Sequence, residues 1–457
     1  MTTNTPNLIA RRRSLFWRIH FWAALIASPF ALIATLTGLL YIFTPQIEAS
    51  LYGHLERVTA PPGAAMLPLD AGVAAARAAA PAGLEIQSVV PPAGPQDALK
   101  VSFGPPSRAT GEHANHAPAT GTSAVPTTTA ATPPRTMETS KRTVFVNPYD
   151  ARVLGTQIDQ DRFSEWARRL HSRLLQGESL RWMIELAASW MLVMLLSGVY
   201  LWWPRAGQPA LPRAGARGRN GWKQWHAFLG VLLGVLSLVI ILTGITWSKY
   251  AGTQVRTVRD WAGQASPQMP KHLHSMPTGG PQLTYQQAWQ RVQAIVPGVP
   301  VALTPPRGAH GFWRAASSDR RHPMNRFDLV LNAYDGRVLY QAGWEAQTAF
   351  GKATAVGIPF HRGELGVWNQ VLLFVFAAGV LFSLVSGWVM FFKRRRAGQL
   401  GLPKLLPGAW RAAPLWSVVL GIGLCALMPL LALSTMVLVI VEIVLGRVRV
   451  PAQHEVA

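Results

Sequence analysis

Four of the twelve histidines in this 457-residue chain occupy positions that an internal repeat duplicates. They are His20, His226, His171 and His361. His20 and His226 each open a long apolar run and are followed, at the same distance, by a Thr-Gly pair. His171 and His361 each precede a later apolar run that contains a Ser-Gly pair. Because a neutral imidazole binds metal ions and each of the four has a counterpart, the pattern points to ligation of a metal or a metal cofactor.

The other histidines have no duplicated position, and most are expected on solvated surfaces. His272 and His274 lie in the run Met269-Pro-Lys-His-Leu-His-Ser-Met276, which could capture a soft metal ion. A flexible linker is the favoured interpretation of that run.

The composition indicates a membrane protein. Only 14% of the residues are charged, against about 25% in soluble domains, and 49% are apolar. The net charge of +22 would suit a nucleic-acid binder, but the basic residues gather beside apolar runs, so no nucleic acid is expected as a partner. The single cysteine, Cys425, excludes a disulfide framework and multi-thiolate metal sites. No glycine-rich nucleotide fingerprint is present in the sequence.

Five uncharged runs are long enough to span a bilayer, which takes about 20 helical residues. They cover residues 21–43, 186–203, 224–248, 365–392 and 412–441. We interpret the first as an uncleaved anchor, since it exceeds the apolar core of a signal peptide. Basic residues cluster before it and in the short loops after the second and fourth runs, which makes those segments cytoplasmic by the positive-inside rule. Pro429 divides the fifth run, which could be one kinked span or a shallow hairpin.

This topology predicts a bacterial inner-membrane protein with a cytoplasmic N-terminus and large periplasmic loops. The expected segments are a basic N-terminus at 1–20; spans at 21–44, 182–203, 224–248 and 365–392; periplasmic domains at 45–181 and 249–364; cytoplasmic loops at 204–223 and 393–411; a fifth span or kinked hairpin at 412–446; and a tail at 447–457.

The two periplasmic segments repeat each other. The clearest match is between Asn147-Pro-Tyr-Asp-Ala-Arg-Val-Leu154 and Asn332-Ala-Tyr-Asp-Gly-Arg-Val-Leu339. Each follows a strand-like segment, which predicts a hairpin. Upstream, residues 69–81 and 283–297 are both expected to be amphipathic helices. Each segment is therefore predicted to be a small α+β domain, and residues 105–141 a low-complexity insert in the first.

A parallel repeat implies a pseudo-two-fold axis along the membrane normal, which would bring His20 to His226 and His171 to His361 at opposite membrane faces. Two facing imidazoles in a helical bundle could bind haem b through both axial positions, and two such haems would form a transmembrane electron path. The alternative is a helix-end role with hydrogen bonds between neighbouring helices. Aromatic residues near both pairs could flank a porphyrin or belong to an interfacial belt; Trp388 is expected at the His171 end.

The opening Trp17-Arg-Ile-His-Phe-Trp22, the pair Trp225-His226 and the doubled small domains resemble the PepSY-associated transmembrane family, over residues 10–396. The resemblance implies a multi-span α-helical membrane protein. Its four-helix core would arise from a parallel repeat, with two small α+β PepSY-like periplasmic domains, and the C-terminal hydrophobic helix would be an addition.

Members resembling this chain include inner-membrane di-haem reductases of ferric siderophores and related iron-uptake proteins. The resemblance implies two haems b, with His20 and His226 as axial ligands on the cytoplasmic side and His171 and His361 on the periplasmic side. His171 lies well before its span, so its position requires a helix break near Gly177.

The expected function is electron transfer that reduces a periplasmic ferric siderophore or other iron chelate for uptake. No separate catalytic residue is expected, and a quinol or a cytoplasmic reductase would donate the electrons. One alternative is a non-enzymatic PepSY-domain protein that binds or regulates a periplasmic partner. A second is a metal or siderophore permease, which the lack of mid-span charges disfavours. Arg152 and Arg337 in the repeated turns could bind an anionic chelate, although support of the hairpin is the favoured role.

Overall fold

The structure is a computed structural model that describes residues 5–106, 140–175, 177–203, 211–213, 215–395 and 401–448. The chain divides into two units. The helical unit comprises Met1–Thr44, Ala167–Ser266 and Thr348–Ala457, and the sheet unit comprises Pro45–Trp166 and Pro267–Gln347.

The helices of the described residues, in chain order, are α1 (Thr5–Ile42), α2 (Thr44–Glu56), α3 (Leu69–Ala79), α4 (Phe163–Arg173), α5 (Arg181–Trp202), α6 (Gly218–Leu232), α7 (Gly234–Ile245), α8 (Ala251–Trp261), α9 (Tyr285–Ile295), α10 (Ala349–Arg362), α11 (Val367–Arg394), α12 (Leu415–Leu427) and α13 (Pro429–Val448). The strands are β1 (Glu85–Val90), β2 (Leu99–Gly104), β3 (Arg142–Val146), β4 (Val153–Ile158), β5 (Val301–Thr304), β6 (Phe312–Ser317), β7 (Asp328–Asn332) and β8 (Val338–Ala342).

Within the described residues, three helices are long and apolar enough to cross a membrane: Asn7–Ile42 of α1, the whole of α5 and the whole of α11. The α6–α7 pair makes a fourth if it is taken as one span. These helices coincide with the first four apolar runs of the sequence.

The third run differs from the single helix predicted at 224–248, because α6 and α7 meet at 59° across Leu233. The Leu233 side chain fills the space beside Gly379 of α11, where an added Cβ would lie 2.2 Å from its Cδ1 atom. Gly234 follows directly, and a glycine weakens helical continuity at such a bend. The bend therefore accompanies a close approach of the two helices.

The fifth run forms two shorter helices, α12 and α13, that are divided at Met428. Trp416, near the start of α12, stacks on Phe16 of α1 with ring centroids 5.9 Å apart. Glu442, near the end of α13, bonds to Arg18 of α1. Both ends of the pair therefore lie at the same end of α1, and the chain turns back at Met428.

The strands of the sheet unit form one antiparallel sheet in the order β4-β3-β2-β1-β5-β6-β7-β8. Each half is a four-stranded meander, and the halves join where Val89 of β1 pairs with Leu303 of β5. The sequence predicted two small domains, whereas the structure joins their strands edge to edge. This pairing satisfies backbone groups that an exposed edge would leave open.

The amphipathic helices predicted at 69–81 and 283–297 are present as α3 and α9. Each buries its apolar face on the strands of its own half, and Ala76 and Val292 are fully buried there. The first amides of α9 donate to the Asp70 carboxylate of α3, so each helix start is also tied to the other half.

Both predicted hairpins are confirmed: the repeated turns connect β3 to β4 and β7 to β8. Ala151 and Gly336 occupy equivalent turn positions with φ of 57° and 69°, a conformation that favours glycine. The low-complexity insert predicted at 105–141 lies almost wholly outside the described residues.

Candidate haem-ligand site

At one end of the helical unit, His20 of α1 faces His226 of α6. Their ring centroids are 6.4 Å apart, and the ring planes are inclined at 86°. At the other end, His171 of α4 faces His361 of α10, with centroids 6.5 Å apart and planes inclined at 61°. The structure therefore brings together the two pairs that the repeat predicted.

The Nδ1 atoms of the first pair are held by serines. His20 Nδ1 lies 3.1 Å from Ser197 Oγ of α5, and His226 Nδ1 lies 2.9 Å from Ser386 Oγ of α11. Each serine donates its own hydrogen to a backbone carbonyl of its helix, so it accepts the hydrogen bond from the ring. Each Nδ1 also lies 3.0 Å from a carbonyl of the same helix.

Threonines play the same part in the second pair. His171 Nδ1 lies 3.0 Å from Thr37 Oγ1 of α1, and His361 Nδ1 lies 2.9 Å from Thr243 Oγ1 of α7. Both threonine hydroxyls donate to carbonyls of their own helices. In all four rings Nδ1 is therefore the protonated nitrogen, and Nε2 keeps a free lone pair. None of the four Nε2 atoms has a hydrogen-bond partner among the described residues.

The pair formed by His171 and His361 lies outside the spanning helices, and both rings are neutral at pH 7. Burial lowers the pKa of His171. Burial and then repulsion from His171 lower the pKa of His361. A neutral ring is the form that binds a metal ion.

A glycine lies against the edge of every ring. An added Cβ would lie 3.2 Å from His20 Cε1 at Gly198 and 3.7 Å from His226 Cε1 at Gly387. The equivalent distance is 3.5 Å both from Gly38 to His171 and from Gly244 to His361. Small residues such as these glycines let helices approach closely, and the hydroxyls beside them hold and orient the imidazoles.

These contacts define how each half of the repeat is connected. His20 of α1 docks on the Ser-Gly pair of α5, and His226 of α6 docks on the equivalent pair of α11. His361, just before α11, reaches back to Thr243 of α7. The start of α6 therefore lies beside the end of α11, and the end of α7 lies beside α10, which precedes α11, so the bent pair reaches both ends of the helical unit, as a broken span does.

The break that His171 requires is present. Helix α4 ends at Arg173, and Leu174 and Leu175 adopt φ of 49° and 63° before α5 begins at Arg181. Gly177 also has a positive φ of 68°. His171 is thus carried on a separate helix, which lets it point back to Thr37 of α1.

Each pair has the ring separation that one metal ion bound between two imidazoles would require. A metal–imidazole nitrogen bond is about 2 Å long and the ring centre lies about 1 Å further, so trans imidazoles on one ion have centroids roughly 6 Å apart. Both observed separations agree with that value. The glycine at each ring edge adds no side chain of its own there.

The aromatic side chains near the pairs are partly as expected. Trp17 stacks on His20, with centroids 6.2 Å apart and planes inclined at 14°. The expectation that Trp388 lies at the His171 end is wrong. Trp388 follows Gly387, which adjoins His226, because α11 runs toward that end of the helical unit.

Other residues considered from the sequence do not join the site. Arg152 and Arg337 are exposed and lie 3.9 and 3.7 Å from the aspartates of their own turns, Asp150 and Asp335. No group of three or more metal-ligating His, Cys, Asp or Glu residues occurs in the described parts of the chain, including the run that carries His272 and His274.

Two paired carboxylates near the spans, one buried and one half-buried, were not predicted, because each lies just outside an uncharged run. Glu185 of α5 accepts hydrogen bonds from the backbone amides of Tyr250 and Ala251 at the start of α8. Glu442 of α13 pairs with Arg18 of α1. A charge at the edge of an apolar run was the available signal in both cases.

The fold is that of a helical membrane-type protein with several apolar helices and a sheet region. The family model described as PepSY-associated TM region matches residues 17–394, which include all four histidines. The chain belongs to this family, and the resemblance identified from the sequence is confirmed. Helices α12 and α13 lie beyond the matched residues. No curated protein matches the chain significantly.

Proposed function

We propose that this protein is an inner-membrane electron-transfer protein that holds two haems b and reduces a periplasmic ferric chelate. The observation that carries the proposal is the two facing histidine pairs, with ring centroids 6.4 and 6.5 Å apart. In each ring a hydroxyl fixes the Nδ1 hydrogen and leaves Nε2 for a metal.

The donor set favours haem over a bare metal ion. Each pair supplies two nitrogen ligands from opposite sides, and the described residues add no third His, Cys, Asp or Glu to either pair. A zinc or copper ion needs more protein ligands than that. A porphyrin brings its own equatorial nitrogens, so two axial imidazoles complete its coordination and a bound haem would cycle between ferric and ferrous iron.

The separation of the pairs supports transfer across the bilayer. His20 and Thr37, which holds His171, both lie on α1, and the rise of about 1.5 Å per residue places them roughly 25 Å apart. A hydrocarbon core is about 30 Å thick. This separation supports one pair near each membrane face, and the distribution of basic loops favours the periplasmic face for the His171 pair.

A ferric siderophore is the proposed acceptor. Reduction of Fe(III) to Fe(II) weakens its binding by hard oxygen ligands, which would free iron for uptake. The role of the chain's own residues is to hold the ligand rings, fix their tautomers and set the separation of the two sites. The choice of a ferric siderophore as acceptor rests on the periplasmic position proposed for the His171 pair and on the electron transfer that two haems would provide.

The acceptor is tested with purified protein that is reduced under argon and freed of excess dithionite. A ferric hydroxamate chelate is then added with a chromogenic Fe(II) trap. We expect reoxidation of the haem bands with formation of trapped Fe(II), slowed at least about tenfold in His171→Ala. The control is His54→Ala, an exposed histidine of the sheet unit. Haem bands that persist after chelate addition would contradict the acceptor alone, whereas protein without haem would contradict the whole proposal.

A further inference from the structure

A cavity of about 550 Å³ lies beside the His20 end of the helical unit. Its lining residues are Arg18, Leu405, Trp410, Val439, Glu442, Ile443 and Leu445. Apart from Arg18, all of them belong to the C-terminal segment beyond the family match. Most of the lining is apolar, while one wall carries a charged pair.

The charged pair is nearly enclosed by protein. The Arg18 and Glu442 side chains are 4% and 13% exposed, and Arg18 Nε lies 2.7 Å from Glu442 Oε1. Arg18 Nη2 donates to Oε2 at 3.0 Å, and Nη1 donates to the Pro403 carbonyl at 2.6 Å. Trp22 Nε1 also donates to Oε1. Enclosed charges of this kind are retained only where they are paired.

The hydrogen-bond inventory leaves one acceptor position open. Each carboxylate oxygen has two lone pairs. Oε1 receives two donors, from Arg18 and Trp22, whereas Oε2 receives one. A ligand that enters the cavity and donates a hydroxyl hydrogen can therefore bond to Glu442 Oε2 without displacing the arginine.

The position of the cavity relates it to the candidate haem site. Arg18 and Trp22 flank His20 on α1, each two residues away, so the charged wall adjoins the helix turn that carries the ligand ring. On the other side the cavity meets Val439 and Ile443 of α13, which are 44% and 51% exposed. Exposed apolar side chains on so apolar a helix are suited to contact with lipid.

We propose that this cavity binds the head group of a quinol, with the Trp410 ring beside it and one hydroxyl donating to Glu442. The inference rests on the proposed function, for which it supplies the electron donor. A quinol dissolves in the bilayer, enters past Val439 and Ile443, and presents a flat apolar ring with a hydroxyl on either side.

Oxidation of a quinol to the quinone releases two protons and two electrons. The hydroxyl that bonds to Glu442 transfers its proton to that carboxylate, and the second proton leaves to water at the cytoplasmic face. The two electrons would pass one at a time to the haems of the proposed function, one to each ferric iron. Arg18 holds the carboxylate in place and is a positioning residue.

Binding is tested by photolabelling the purified full chain with an azido-decylubiquinone and mapping the labelled peptides. We expect label on Trp410 or on residues 439–445, displaced by unlabelled decylubiquinone. Val439→Trp fills the cavity and should lower this labelling at least about tenfold, whereas Val444→Trp on the same helix does not line the cavity and should leave it unchanged. Label elsewhere, or displacement by phosphatidylglycerol vesicles but not by decylubiquinone, would overturn the assignment.

Electron donation is tested by mixing oxidised protein with decylubiquinol and following the haem bands. Glu442→Gln keeps the shape of the side chain, so we expect labelling to persist while haem reduction slows at least about tenfold. Reduction at the wild-type rate in both Glu442→Gln and Val439→Trp would overturn the proposal. Because labelling needs no haem, failure of the proposed function and failure of the quinol site give different results.

Discussion

Each imidazole of the site depends on a hydroxyl from a neighbouring helix. Thr37 and Thr35 of α1 both donate to carbonyls of their own helix, but only Thr37 also accepts from a histidine, His171. A group that holds Nδ1 of a ligand histidine fixes its tautomer and raises its basicity. In the proposed site, the threonine and serine partners therefore orient and tune the ligand rings.

Thr37→Val should accordingly weaken the proposed haem site at the His171 end. Loss of such a partner lowers metal affinity by about 10- to 100-fold, and we expect faster haem loss from this variant in a transfer assay to apomyoglobin. Thr35→Val removes an equivalent hydroxyl that touches no histidine and should lose haem at the wild-type rate. Equal rates of loss in the two variants would show that the Thr37 hydroxyl does not support the site.

The ring-edge glycines give a second prediction at the same scale. An added Cβ at Gly198 would lie 3.2 Å from His20 Cε1, which requires the ring to shift, whereas at Gly387 it would lie 3.7 Å from His226 Cε1, an ordinary contact. Gly198→Ala should therefore shift the α band of the reduced haem spectrum and speed haem loss. Gly387→Ala should change neither the band position nor the rate of haem loss. A larger effect of Gly387→Ala than of Gly198→Ala would contradict the ring-edge distances at the His20 pair.

At the scale of elements, an ion-pair network ties α2 to the residue before α4 in the sheet unit. Arg162 Nη2 lies 2.8 Å from Glu48 and 2.9 Å from Glu56. Burial raises the pKa of Glu48, but hydrogen bonds from Arg162 and Ser164 and the charge of Arg162 outweigh it, so the pKa lies below the ordinary value of 4.5.

This network predicts an acid-dependent stability. A carboxyl whose pKa is lower in the folded state stabilises that state fully above pH 4.5, and the contribution is lost as the pH falls through the folded-state pKa. Glu48→Gln should therefore speed hydrogen exchange of α2 at neutral pH and differ little from wild type in strong acid. Glu85→Gln removes a carboxylate of the same unit that makes no ion pair among the described residues, and it should behave as wild type throughout. A Glu48→Gln effect that grows toward low pH would contradict this assignment.

Several elements could be predicted from the sequence because their signals are local. The hydropathy runs located α1, α5 and α11, and the repeated turn located two hairpins, since both depend on residues close together in the chain. The bend at Leu233 was not predictable in this way, because it accompanies packing against Gly379 of another helix. The pairing of β1 with β5 was not predictable either, because it joins the edges of two strands that lie far apart in the chain.

The site shows the same division. The histidine pairs were predictable because a parallel repeat duplicates positions and its symmetry axis brings them together. The Arg18–Glu442 pair was not, because its partners are separated by most of the chain and Glu442 lies one residue beyond an apolar run. The hydrogen bonds between the hydroxyls of the Ser-Gly and Thr-Gly pairs and the histidines were not predicted either, since small residues in spans first suggest close packing.

At the scale of the whole molecule, a duplicated helical unit carries a histidine pair at each end, and a C-terminal hairpin of helices lies against one of them. The family match ends at residue 394, before this hairpin. The cavity wall at Glu442 therefore lies outside the part of the chain that the family model matches.

The central claim is that each pair holds one haem, and the haem content of three proteins tests it most directly. Pyridine haemochrome assays should give two haems b per chain for the wild type. The doubles His20→Ala/His226→Ala and His171→Ala/His361→Ala should give one each, because the two sites share no ligand. A wild-type protein without haem, from haem-replete cells, or a double variant that keeps both haems would contradict the claim.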